Sequence, residues 1–537
     1  MSDSRSEHTS FDAIVVGAGF AGLYTLYRLR ELGFSARVLE RGSQIGGTWY
    51  WNRYPGARCD VESLQYSYSF SDEVQQEWHW TERFASQPEI LRYIDFVAEK
   101  FDLKRDIELN AGVKSAVFDE TRERWTVTTE DGRQMDCRYV IFATGVLSVP
   151  VEPSIPGLDA FQGKVYRTSK WPEAAVDFAG RRVAVVGTGS SGIQVVPAVA
   201  QQAERLFVLQ RTPNYSVPGY NAPMDPDFER DWKANYREHR QQAAATRNNN
   251  LFRPGTAAGR DTPPEERERE FEERWKTGGL GFTYAYPDLT LDEEVNRHAS
   301  DFVRRKIAGK INDPEVAARL VPTEYGIGGR RLCVDNGYYE TFNRENVTLV
   351  DLREQPLVSM TEHGFRTQAA DYAIDDLVLA TGFDAFTGAL VRIDIRGRGG
   401  LPLKQKWSDG PANYLGLTVA GFPNMFMLAG PGSPSVLSNM VISIEQHVDW
   451  LAACLGYLKS RDNASIEARP EEEAKWVDHL ISLAQKTLIF RTKSWYTGAN
   501  VSGKDNSYFM YMGGTNNYVR EITAAADASD YGGFIIK

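Results

Sequence analysis

Two stretches of this chain have the same form. "IVVGAGFAGLY" places Gly17, Gly19 and Gly22 after an apolar run, and "VAVVGTGSSGIQVV" repeats the spacing with Gly187, Gly189 and Gly192. Each reads as a buried strand, a tight turn and the start of a helix. In such a turn the first glycine permits the bend, the second lets the backbone approach a pyrophosphate, and the third lets helix and strand pack closely. A lone match is weak, because packing glycines occur in any strand–helix–strand unit. Two matches, each in the confirming context, constrain the chain to an α/β fold with two Rossmann-like units.

The end of the following strand separates the two. Glu40 stands 23 positions beyond Gly17, at the end of "SARVLE". A carboxylate there accepts hydrogen bonds from ribose hydroxyls and repels a 2′-phosphate, which suits FAD or NAD. Arg211 stands 24 positions beyond Gly187 and is followed by Thr212. An arginine fork suits the 2′-phosphate of NADPH. Arg211 is otherwise an ordinary surface arginine.

Two dinucleotides in one chain imply electron transfer, with NADPH giving hydride to a flavin. A disulfide acceptor needs a dithiol. The four cysteines, Cys59, Cys137, Cys333 and Cys454, are scattered with no C-x-x-C. That leaves molecular oxygen as the acceptor and favours a reducing, cytoplasmic setting. The seven histidines show no ligand spacing, so no metal is expected.

With 537 residues the chain is too long for one core. The division expected is a disordered tail at 1–10, an FAD-binding domain at 11–147 and 384–537, and an NADP-binding domain at 148–212 and 328–383. A helical insertion fills 213–327, charge-dense at "PPEERERE" and flexible around "QQAAATRNNN". The strand ends "ATG" at 143–145 and 380–382 look like chain crossings between the two dinucleotide domains. Two amphipathic helices are expected late in the chain, around "ISIEQHVDWLAACLGYL" and "AKWVDHLISLAQ". The net charge of -11 disfavours nucleic acid and anionic membrane surfaces as partners, and no apolar run is long enough for a span. A monomer or weak oligomer is expected.

After Glu40 comes "GGTWYWNRYPGARCD", in which Gly46, Gly47, Trp49, Tyr54, Pro55, Gly56 and Asp60 resemble the fingerprint of the type I Baeyer–Villiger monooxygenases. The segment "FQGKVYRTSKWP" is similar to the family's second fingerprint, with Arg167 where the family has histidine. The resemblance spans essentially the whole chain. It is strongest to the phenylacetone and steroid monooxygenase branch, through "GTGSSGIQ", "QRTPNYSVP", "LATGFDAFTGAL", "GPGSPSVLSNM" and "SWYTGANV".

That resemblance implies FAD and NADPH as cofactors, and oxygen and a ketone as co-substrates. It implies insertion of an oxygen atom beside a ketone carbonyl through a C4a-peroxyflavin, giving an ester or lactone. A related flavoprotein oxygenating nitrogen or sulfur is the alternative. By the match, Arg331 in "GGRRLCVDNG" stabilises the transition state and Asp60 holds it; Asp60 in "DVES" also has the form of a helix cap. Thr48, Trp49, Tyr50, Trp51, Asp60, Tyr66, Val113 and Met440 join Gly17, Gly19, Gly22 and Glu40 around FAD. Arg58, Cys59, Thr188, Gly189, Ser190, Ser191, Gly192, Ile193 and Gln194 are assigned to NADP, with Arg211, Thr212, Arg330, Arg331 and Trp495. An Arg-Arg pair is otherwise a solvated pair on a turn, and Trp495 is otherwise core packing. Ser435, Val436, Leu437 and Met440 correspond to the segment lining the substrate pocket. They are mostly apolar or small, which suits a bulky hydrophobic, aryl or cyclic ketone.

Overall fold

The computed structural model describes residues 9–501, 503–504, 507–527 and 530–537. Strand Thr9–Val16 pairs in parallel with Ala36–Leu39 on one side and Gln134–Phe142 on the other. It sits in an eight-stranded sheet with an antiparallel flank, Val113–Asp119 on Arg124–Thr129 on Gln134–Phe142. A second sheet of five strands is parallel throughout, in the order Val347–Asp351, Arg205–Gln210, Arg182–Val186, Asp376–Leu379, Lys164–Arg167. Each glycine turn joins a strand of one sheet to a helix, Phe20–Glu31 in the first and Ser190–Ala200 in the second.

The "ATG" strand ends have one job in both units. Gly17 and Gly187 hold φ of +106° and +113°, and a Cβ on them would lie 2.6 Å from the Ala143 oxygen and 2.3 Å from the Ala380 oxygen. Each turn is therefore braced by the carbonyl at the end of the neighbouring strand. Helix Phe20–Glu31 buries Leu23 and Leu26, with Tyr27 half-buried.

Three expectations are corrected. Residues 1–8 of the expected tail lie outside the described residues, but Thr9 and Ser10 begin the first strand, paired to Met135 and Asp136. The segment Asn248–Asn250, read as flexible, is buried: the Asn249 amide donates to the Ser443 hydroxyl and to Gln446, both at 3.0 Å. Polar composition suggested a loop, whereas these side chains find partners on a distant helix. That helix, Met440–Lys459, is amphipathic as expected: it buries a wide face between Phe20–Glu31 and helix Thr515–Asp527 and leaves the stripe Gln446, Asp449, Ala453 and Gly456 less buried. Finally, the insertion is not one solvated body. Trp232 and Tyr236 join the core of the first unit, whereas Phe271, Trp275 and Phe282 join that of the second. Strand Ser216–Pro218 pairs with Cys333–Asp335.

The buried helix carries Glu445, whose carboxylate accepts from the Ser69 amide and hydroxyl at 2.6 Å each and from the Phe70 amide at 3.1 Å. Burial pushes it up to about 7, against the pull of the Ser69 hydrogen bonds and Arg240. A raised carboxyl contributes stability that is full below its unfolded value and is lost as pH rises through 7. His447, held down to about 4 by burial, works in the opposite direction over an overlapping range. Glu445→Gln therefore isolates the first effect. Its stability relative to the parent should grow by about 3 kcal/mol between pH 4.5 and 7.5, read by denaturant unfolding. A pH-independent difference would show that Glu445 does not titrate there.

Candidate active site

At the first glycine turn the Glu40 carboxylate accepts from the Ala18 and Gly42 amides, each at 2.7 Å. These bonds fix it against the turn, where a ribose would lie. A Cβ on Gly19 would stand 3.4 Å from the Gly47 Cα, so the turn and the Gly46–Gly47 loop approach closely. At the second turn a Cβ on Gly192 would meet the Gly187 oxygen at 2.1 Å, but one on Gly189 would meet nothing within 4 Å. The open side of Gly189 is where a pyrophosphate fits. The Thr188 hydroxyl donates to the Thr212 carbonyl at 2.8 Å, tying this turn to the next strand's end. Arg211 is exposed and makes no ion pair among the described residues. Arg330 stacks over Tyr325 at 5.0 Å, and its Nε is buried without a hydrogen-bond acceptor. Two arginines without carboxylate partners suit a phosphate ester. The residues present thus fit two dinucleotides, one on a carboxylate and one on cations.

The fingerprint loop between them does structural work. Its Tyr54 hydroxyl donates to Gln194 Oε1 at 2.8 Å, and Gln194 Nε2 donates to the Arg58 carbonyl at 3.1 Å. A Cβ on Gly56 would lie 2.4 Å from the Gln194 oxygen. The loop of the first unit is therefore clasped to the helix of the second. Arg58 turns its Nη1 to Glu82 at 2.7 Å and the Phe84 carbonyl at 2.8 Å, so that nitrogen is already engaged. Trp49 donates to the Tyr66 hydroxyl at 3.2 Å, Tyr50 hydrogen-bonds Ser43 at 2.8 Å, and Trp51 lies under Arg41 at 5.2 Å. Thr48 opens the short helix Thr48–Trp51, and Val113 is buried at the start of its strand.

Beyond the loop, Asp60 accepts from Arg331 Nη2 at 3.3 Å. Asp60 caps no helix, which removes that alternative. Its side chain is 8% exposed and that of Arg331 27% exposed. Burial raises the Asp60 carboxyl, and Arg331 pulls it back down. Burial works against the Arg331 charge, but Asp60, with Tyr496 and Cys333 nearby, outweighs it and holds the guanidinium protonated. Cys59 and Cys333, both buried beside this pair, are pushed up to about 12 and stay thiols at neutral pH. Ser190 hydrogen-bonds the Cys333 sulfur at 3.2 Å, while Ser191 and Ile193 lie in the same helix.

Arg331 Nη1 also donates to the Val436 carbonyl at 3.4 Å. The turn from Ala429 to Ser435 holds both end residues at positive φ, 52° and 47°, a conformation that L side chains adopt only under tertiary constraint. Ser435 is buried with its hydroxyl on the Ala429 carbonyl at 3.2 Å, so it offers shape rather than a free hydroxyl. Leu437 and Val436 pack against a cluster that includes Trp495 and Phe386. Met440 opens the helix capped by Asn439, whose amide donates to the Gln65 carbonyl at 2.7 Å. Trp495 is half-buried and stacked on Phe386 at 5.7 Å, so its packing role is present. Arg167, at the edge of the second sheet, pairs with Glu152 at 2.9 Å across an exposed surface.

Sequence reasoning missed Tyr496, whose buried phenol is raised by burial and drawn down by the adjacent Arg331. It also missed the Val436 carbonyl. A backbone acceptor leaves no mark on residue type, and Tyr496 reads only as one more aromatic in "SWYTGANV".

Paired glycine turns and an arginine–carboxylate pair between them define a two-dinucleotide oxidoreductase. A family description, pyridine nucleotide-disulphide oxidoreductase, matches residues 14–251. An acetone monooxygenase (methyl acetate-forming) of Gordonia sp. (strain TY-5) is 40% identical over 531 residues, 98% of this chain and 99% of that protein. A phenazine N-monooxygenase of Lysobacter antibioticus is 40% identical over 535 residues, 99% and 98% of the two chains. Among solved structures, an oxidised steroid monooxygenase bound to NADP superposes with a TM-score of 0.94 at 48% identity, covering 98% of this chain and 99% of that one. The chain belongs to the Baeyer–Villiger monooxygenases, flavoprotein enzymes that use FAD and NADPH. No helix among the described residues is long and apolar enough to cross a membrane.

Two glycines of the second turn, Gly189 and Gly192, should separate folding from binding. Gly192→Ala should lower stability by about 1–3 kcal/mol through overpacking, read by thermal unfolding. Gly189→Ala should leave the melting point unchanged and raise the KM for NADPH. Equal melting points for both variants would contradict the packing argument.

Proposed function

We propose that Arg331 and Asp60 carry the catalytic work of a ketone-to-ester oxygenation, with bulky hydrophobic, aryl or cyclic ketones as substrates. The overall change is ketone plus O2, NADPH and a proton to ester or lactone, NADP+ and water. When bound, reduced flavin supplies the activated oxygen atom. The protein's task is to hold negative charge on oxygen where water is excluded, and a fixed guanidinium serves this because it stays cationic and presents several donors. Asp60 orients that guanidinium and offsets the cost of burying it. The observation carrying this reading is the bridging position of Arg331. One nitrogen faces Asp60 in the fingerprint loop, and the other faces Val436 in the substrate segment.

Glu40 would accept from the FAD ribose, and Arg211 with Arg330 would hold the NADP 2′-phosphate. Val436, Leu437 and Met440 give the ketone an apolar wall. Trp495 would cover the nicotinamide side. Arg167 with Glu152 serves the segment joining the two units, and an exposed pair of this kind stabilises by at most about 1 kcal/mol.

Arg331→Ala should lower ester formation by about a hundredfold or more while NADPH still bleaches the flavin. Product analysis under labelled O2 reads the first and anaerobic absorbance the second; ester at the parent rate would remove Arg331 from its assigned role. The 40% identity to a phenazine N-monooxygenase favours one second reading, N-oxygenation. The same labelled assay with a ketone, a sulfide and phenazine decides between them. Ester formation supports the first reading, and N-oxide or sulfoxide alone the second. Arg211→Gln should raise the KM for NADPH about tenfold through loss of charged hydrogen bonds, with the KM for NADH unmoved.

A further inference from the structure

The bonds that Arg331 makes to the Val436 carbonyl and to Asp60 are 3.4 and 3.3 Å. Both are long beside the usual N–H···O separation of about 2.9 Å. A guanidinium held by two long bonds is poorly fixed in direction, and it has further donors to offer. The neighbour that can take one is Tyr496. Its phenol lies within hydrogen-bonding reach of Arg331, with Asp60 and Cys333 nearby.

The surroundings hold that phenol still. The turn Trp495–Thr497 opens on a capping box, in which the Ser494 hydroxyl accepts from the Tyr496 amide at 3.2 Å. The Tyr496 ring is 5% exposed, and its centroid lies 4.5 Å from that of Trp495. It shares a cluster with Phe386, Phe509, Met510 and Met512, against which Val436 and Leu437 also pack. That cluster is apolar, and phenylalanine would suit it as well as tyrosine does. A hydroxyl taken into such surroundings costs free energy unless a partner meets it, and Arg331 is the cation beside it.

Resting on the role given to Arg331 above, we propose that Tyr496 is a positioning residue for the oxygenation: its hydroxyl oxygen accepts from Arg331 and, with Asp60 and the Val436 carbonyl, fixes the plane of the guanidinium. The three partners come from three segments, the fingerprint loop, the substrate segment and the aromatic turn. Tyr496 acts through Arg331 and leaves the reacting atoms to it. Without the hydroxyl the guanidinium keeps its charge and loses its direction. A larger share of turnovers then ends without oxygen insertion, with NADPH, O2 and a proton giving NADP+ and hydrogen peroxide.

The test is Tyr496→Phe, which keeps the ring and removes one oxygen atom, assayed with a ketone that the parent converts under labelled O2. The kcat for ester formation should fall about tenfold, the size of one lost hydrogen bond to a charged group. Peroxide released per NADPH consumed should rise. The KM for the ketone, anaerobic flavin reduction by NADPH and the melting point should keep their parent values. An unchanged kcat with an unchanged peroxide yield would overturn the proposal. So would a raised ketone KM with kcat unmoved, which marks a substrate contact, or a lowered melting point with slower flavin reduction, which marks a purely structural role. Each of these leaves the role of Arg331 standing, because Arg331→Ala tests it separately; ester at the parent rate in that variant would overturn both.

Discussion

One guanidinium brings three distant segments together. Arg331 reaches Asp60 from the first unit's loop and the Val436 carbonyl from the turn before the buried helix, while its own backbone leads into strand Cys333–Asp335. A cation that is largely withdrawn from water, its side chain 27% exposed, is stabilised here because a carboxylate and a carbonyl face it. The requirement runs in both directions. Burial raises the Asp60 carboxyl and the Arg331 charge opposes that rise, and the turn from Ala429 to Ser435, just before Val436, holds both end residues at positive φ. Each unit supplies a nucleotide cradle by itself. The contact set at their junction depends on all three segments meeting.

The glycine turns show how far local rules go. Strand, turn and helix at Gly17 and Gly187 were legible because each is specified within about a dozen residues by backbone sterics. The distinction between Glu40 and Arg211 was legible too, since spacing along one strand fixes which residue stands at its end. Arg331 was not readable this way. Two arginines after two glycines describe a solvated turn equally well, and only resemblance to a family singled the second one out.

What escaped the sequence was tertiary. Asn248–Asn250 have the composition of a loose loop, yet their amides are fixed by Ser443, Gln446 and their own neighbours. Helix Met440–Lys459 is amphipathic as its pattern suggests, yet distant packing takes Glu445 and His447 out of water as well. The insertion's polar composition hid the aromatics that it contributes to two cores. In each case the competing element lies far away in the chain, so no window along the sequence contains the interaction that decided the outcome.

The contact of Gly56 with Gln194 has a mechanical meaning. Backbone pressed on backbone, with the Tyr54 and Arg58 bonds on either side, leaves no room for the second unit to slide past the first. A rotation that preserves the contact must turn about it, so this spot is a hinge pin rather than a latch. Atoms near Gln194 would trace small arcs, and atoms farther from it wider ones. A nucleotide bound on that helix would be reoriented by such a swing with little displacement of the end lying next to the pin.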